Sequence, residues 1–142
     1  MATVEVTFTP LPAHVRTARL VATAVARRSG VPETLLDEVR LAVGEACSRA
    51  VEAHRLHCPT EPVRIELTGQ DDRFEIEVIN ASAKGASAQG QSASQNMAVP
   101  AGFSLAVIAG LADDVQISET PVGTSVKMSW PTSGSIAAGS PA

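Results

Sequence analysis

The chain has 142 residues, of which 44% are hydrophobic and 18% charged, with a net charge of −4. That length and composition fit one globular domain with a sizeable core, and the negative balance argues against nucleic acid as the main partner. No apolar run approaches the ~20 residues of a membrane span and no signal-peptide pattern opens the chain, so a cytoplasmic protein is expected.

Val4, Val6 and Phe8 alternate with Thr3, Glu5 and Thr7, which predicts a half-buried strand ended by Pro10 and Pro12. A helix follows over about Ala13 to Ser29. Val15, Ala18, Val21, Ala22, Val25 and Ala26 form its core stripe, and Arg16, Arg19, Thr23 and Arg27 a polar one. Leu20 falls among those arginines, a hint of a protein-binding surface. Ser29 and Gly30 stop the helix, and Pro32 sits where a first-turn proline belongs in the next.

The stretch Asp37 to His54 is the longest helical pattern. At ~100° per residue, Leu35, Leu36, Val39, Ala42, Val43, Ala46, Cys47, Ala50 and Ala53 share one face. Glu38, Glu45, Arg49 and Glu52 gather on another, where Glu45 and Arg49 are neighbours four apart that could form a surface ion pair. His54 borders the apolar stripe as a packing residue. With Cys47, Cys58 and His57 it makes neither a disulfide framework nor a four-ligand metal site, so no metal is expected.

After a turn from His57 to Pro62, Val63, Ile65 and Leu67 alternate as a strand. Gly69 to Asp72 turns, and Phe74, Ile76 and Val78 return antiparallel. Ala81 to Asn96 is almost wholly Ala, Ser, Gly and Gln, the composition of a flexible lid-like loop, which extends over 81–101. Gly102 to Leu111 resumes a helical, nearly all-apolar pattern. Strands at Val115 to Ile117 and Val126 to Trp130 follow, joined by a turn at Pro121 to Gly123. The Ser, Gly, Ala and Pro tail over 132–142 is expected to be disordered. The order predicts a single α+β domain over 1–131: a two-layer sandwich with a mostly antiparallel sheet covered on one face by three helices.

Three segments carry a resemblance. LAVGEACSRA (Leu41 to Ala50) is similar to LAVxEAxxNA, GFSLAVIAGLADDV (Gly102 to Val115) to GxGLxLIxxLADEV, and GTSVKMSWP (Gly123 to Pro131) to GTxVxxxxP. Together they resemble the GHKL, or histidine-kinase-like, ATPase fold, and within it the anti-sigma-factor serine/threonine kinases of bacterial partner-switching systems.

The resemblance implies that Glu45 is the candidate general base of catalysis. It places Arg49, Asn80, Gly102, Ser104, Gly123 and Thr124 at nucleotide-binding positions, and Arg19, with Arg16 and Leu20 beside it, on a partner-binding surface. It also implies a sigma factor, a STAS-type anti-anti-sigma factor, or both as partners, and a homodimer.

The chain departs from the family pattern three times. Arg49 stands where the family has a magnesium-binding asparagine, and a guanidinium has donors only and a permanent charge. Asn80, Ser82 and Lys84 replace a DxGxG box, whose aspartate takes the adenine amino group. Ser104 replaces a glycine. The expected function is therefore regulation by protein–protein binding, with ATP or ADP held weakly or not at all and magnesium disfavoured. The alternative is an active serine/threonine kinase that phosphorylates an anti-anti-sigma factor with Mg-ATP.

Overall fold

The computed structural model describes residues 2–70, 72–81, 106–120 and 123–132. Five strands form one sheet in the order β1-β2-β3-β5-β4: β1 (Ala2–Phe8), β2 (Val63–Gly69), β3 (Arg73–Ala81), β4 (Asp114–Thr120) and β5 (Gly123–Pro131). Every pairing is antiparallel. Helices α1 (Pro12–Ser29) and α2 (Glu33–His57) and a helical stretch at 106–111 complete the described elements, so the predicted α+β sandwich is observed. No described helix is long and apolar enough to cross a membrane.

Local chemistry explains the helix hairpin. Pro12 opens α1, and Gly30 closes it at φ 102°. The Gly30 N–H donates to the Arg27 carbonyl and the Val31 N–H to the Ala26 carbonyl, a Schellman closure whose apolar cap, Val31, is buried. Pro32 is the N-cap of α2 rather than its first helical residue, and the helix runs a turn longer at its start than the Asp37 to His54 pattern. The ion pair of Arg27 with Glu33 at 3.0 Å and the crossing of Arg19 over Gly44 set α1 and α2 antiparallel.

The core lies between these helices and the sheet. Phe74, Ile76 and Val78 of β3 face α2, flanked by Ile65 and Leu67 on one side and Val126, Met128 and Trp130 on the other, all buried. Trp130 Nε1 donates to the Leu111 carbonyl at 3.1 Å, which ties the 106–111 helix to β5. Arg73 braces the same corner, with Nη2 2.7 Å from Ser129 Oγ and 2.8 Å from Asp113 Oδ2.

Burial departs from the predicted stripes at a few positions. Thr23, assigned to the polar stripe of α1, is buried; its hydroxyl donates to the Arg19 carbonyl at 2.7 Å, so it needs no solvent. Val51 joins the core of α2, while β4 is longer than the Val115 to Ile117 pattern and leaves Ile117 half-open on the sheet edge. Thr132, placed in the tail, is buried, and its N–H donates to the Asp72 carbonyl. The lid-like loop is expected over 81–101, but Ala81 is the last residue of β3; the rest of that segment and the tail beyond 132 lie outside the described residues.

Candidate functional site

The strand register extends the core into a polar row. Val78, Val126 and Ile117 are aligned across β3, β5 and β4, and two residues further along the same face come Asn80, Thr124 and Glu119. Strand alternation puts all three on the helix-covered side. Asn80 is 6% exposed, half-buried Thr124 sits beside it, and Glu119 lies open on the edge strand.

Arg49 of α2 is linked to this row through Glu119. Burial pulls its guanidinium below the ordinary arginine value, and the one carboxylate whose field opposes that shift is Glu119. Its Nε is buried without a hydrogen-bond partner among the described residues. The expected surface pair with Glu45 is not formed: Arg49 takes part in no ion pair among the described residues, and neither does Glu45. Arg49 Nε is buried, and i,i+4 spacing makes the two residues neighbours without making them partners.

Gly123 has a steric reason for its identity. A Cβ there would collide with the backbone carbonyl oxygen of Asn80, so the close approach of β5 to the end of β3 requires glycine. The Gly-Thr signal is thus at least structural. It fixes Thr124 opposite Asn80.

His54, fully buried, secures the end of the row. Its Nδ1 lies 2.8 Å from the Glu61 carbonyl and its Nε2 accepts the Ala81 N–H at 2.9 Å. A carbonyl only accepts and an amide N–H only donates, so the ring holds its proton on Nδ1 and is neutral. It clamps the turn after α2 to the residue following Asn80. Burial pushes the Cys47 thiol up to about 12, and burial together with Glu61 raises Cys58.

A second region lies on the outer surface of the helix pair. Leu20 is 63% and Leu41 55% exposed, and the antiparallel register sets them level with each other. Arg16 is exposed beside them. Arg19, expected on a partner-binding surface, is partly drawn in: its stem lies across Gly44, where a Cβ would come within 2.8 Å of its Cδ, and its Nε is buried without a hydrogen-bond partner among the described residues. Leu41 was not singled out by the sequence reading, although its place off the apolar stripe of α2 signals exposure.

Of the sequence-predicted residues, the structure brings Asn80, Gly123 and Thr124 together and adds Glu119, whose charge acts on Arg49. Glu45 lies one turn before Arg49, half-buried, while Gly102 and Ser104 fall outside the described residues. Grooves of about 440 Å³ between β1 and α1, and about 200 Å³ between α1 and the end of α2, do not include the polar row.

The residues present fit a nucleotide-type ligand better than a metal. Asn80 and Thr124 offer uncharged donors and acceptors, whereas Arg49 offers a cation. Among the described residues, no group of three or more His, Cys, Asp or Glu could hold a metal ion. A guanidinium has donors only and a permanent charge, so Arg49 itself cannot ligate magnesium.

A helix bearing Glu45 and Arg49, laid over an antiparallel sheet that ends in an Asn–Thr row, defines an ATPase-type scaffold. The chain belongs to the histidine kinase-like ATPase domain family, whose model matches residues 8–130. A solved structure of the RsbU and RsbW domains of Rv1364c from Mycobacterium tuberculosis shares this fold, at a TM-score of 0.66 and 14% identity over 91% of this chain. The match covers 32% of that longer chain. Comparison with curated proteins gives no match.

Proposed function

We propose that the chain is a cytoplasmic regulatory protein of the anti-sigma type. It acts by binding a sigma factor, a STAS-type anti-anti-sigma factor, or both, and its Mg-ATP chemistry is weakened or lost. The carrying observation is Arg49: a half-buried cation, on which Glu119 acts, stands at the position where the family resemblance puts a metal-binding side chain. A fixed cation there repels magnesium, and phosphoryl transfer depends on metal charge at the phosphates.

The exposed pair Leu20 and Leu41, flanked by Arg16, supports a protein-binding face on the helix layer. Pairing of two chains would use a sheet edge. The sheet face away from the described helices carries Glu5, Glu66, Glu77 and Lys127 in one cross-strand row, a polar strip that gives no apolar face for pairing.

The test is titration of the full chain with sigma factors and STAS proteins of the same organism, with Leu20→Asp as control. Complex formation lost in the variant is the expected result; no complex with any of them would sink the reading. A second reading, an active kinase, is favoured by Glu45, half-buried and outside every ion pair among the described residues. Transfer of labelled phosphate from Mg-ATP to a STAS partner would establish it.

A further inference from the structure

We propose that His54 is a pH-sensitive clasp: a second proton on its ring, taken up in mild acid, releases the end of β3, and Asn80 with it, from α2. This goes beyond the partner-binding reading and does not rest on it.

The clasp exists because β2 stops short of the end of β3. Their register ends at Arg64 opposite Ile79. Continued by two residues it would set Pro62, which has no N–H to offer, against Ala81. Two side chains four residues apart at the end of α2 take over instead. His54 Nε2 accepts the Ala81 N–H at 2.9 Å, and the Cys58 thiol donates to the Ala81 carbonyl at 3.5 Å. On its other side Ala81 pairs with Gly123, the residue that lies against the Asn80 carbonyl. The end of β3 is thus gripped from both flanks, and that grip keeps Asn80 opposite Thr124.

Only the neutral ring can do this. Its Nδ1 proton is committed to the Glu61 carbonyl, so a second proton goes to Nε2, where it meets the Ala81 N–H donor to donor. The ring is fully buried, which leaves the new N–H no water to turn to. The charged ring and the Ala81 bond therefore exclude each other. The titratable groups around the clasp are Cys58 and Glu61, whose carboxylate acts on the Cys58 thiol, with Arg55 and His57 exposed on the same helix. The other elements bring none against it: α1 meets this end of α2 across a groove lined by Glu52 and Arg55, Arg64 of β2 is engaged with Glu5 and Glu66, and Glu119 of β4 is separated from β3 by β5. The unfolded chain accepts the proton that the folded clasp refuses, so stability falls as pH falls.

The experiment follows the full chain from about pH 8 to about pH 5 by urea unfolding and by amide-exchange NMR, in wild type, His54→Gln, His14→Gln and His57→Gln. A glutamine amide accepts from Ala81 and donates to Glu61 at every pH, so His54→Gln keeps the clasp without its proton switch. Expected is a folding constant that falls by up to about tenfold per pH unit more steeply in wild type than in His54→Gln. His14→Gln and His57→Gln should keep the wild-type slope. In wild type the Ala81 amide should lose its protection at a higher pH than that of Ile76, in the middle of β3. Should His54→Gln not fold, this order of loss within the wild type carries the test. Equal slopes in wild type and His54→Gln overturn the proposal, and so does an Ala81 amide that keeps its protection to about pH 5 or loses it only together with Ile76. None of these measurements reads complex formation, so either proposal can fail while the other stands.

Discussion

Arg49 carries a permanent charge that its surroundings only half answer: its Nε is buried without a hydrogen-bond partner among the described residues. Other single residues have equally specific consequences. Gly123→Ala drives a methyl group into the Asn80 carbonyl and should cost about 1–3 kcal/mol, read from the urea midpoint. Cys47 makes a pH prediction. Its thiol is raised from 9.0 to about 12 in the folded chain, so the unfolded chain loses its proton first. The stability this contributes is complete below about pH 9 and is lost as pH rises towards 12. In Cys47→Ala, stability should therefore fall less steeply over that window; an unchanged slope would show that other groups govern alkaline unfolding.

At the scale of elements, the structure is held by a few joints between helices and sheet. His54 is one, joining the turn after α2 to the end of β3 through two backbone partners. His54→Ala leaves the Glu61 carbonyl and the Ala81 N–H unanswered and should cost about 2–5 kcal/mol in chemical denaturation. The outer face of the α1–α2 pair behaves differently, because nothing in the described chain covers Leu20 or Leu41. Leu20→Asp and Leu41→Asp should change stability by no more than about 0.5 kcal/mol, yet weaken the partner complex about tenfold or more. Large destabilisation by either would show that the leucine supports the fold instead.

Across the whole molecule, what could be read in the sequence was whatever repeats with a local period. Val63, Ile65 and Leu67 alternate, as do Phe74, Ile76 and Val78, and they form β2 and β3 as expected. Ser29-Gly30 marks the end of α1 because only a residue at ease with positive φ closes that helix. Contacts between distant residues were hidden. Arg49 and Glu119 are seventy positions apart, and only the folding of β4 onto β5 sets the carboxylate opposite Thr124, where its charge acts on Arg49. Spacing alone favoured Glu45 as the partner of Arg49, and tertiary structure overrode it. Thr23 was misassigned for a similar reason, since a hydroxyl bonded to its own helix can enter a core that a polarity count would deny it.

The central claim is that this scaffold serves protein recognition without Mg-dependent phosphoryl transfer. The most direct measurement is the affinity of the chain for its sigma or STAS partner, by calorimetry, with and without Mg-ATP, followed by the mass of the recovered partner. The account predicts the same affinity in both conditions and a partner of unchanged mass. A complex that forms or dissolves only with Mg-ATP, or a partner heavier by one phosphoryl group, would contradict it.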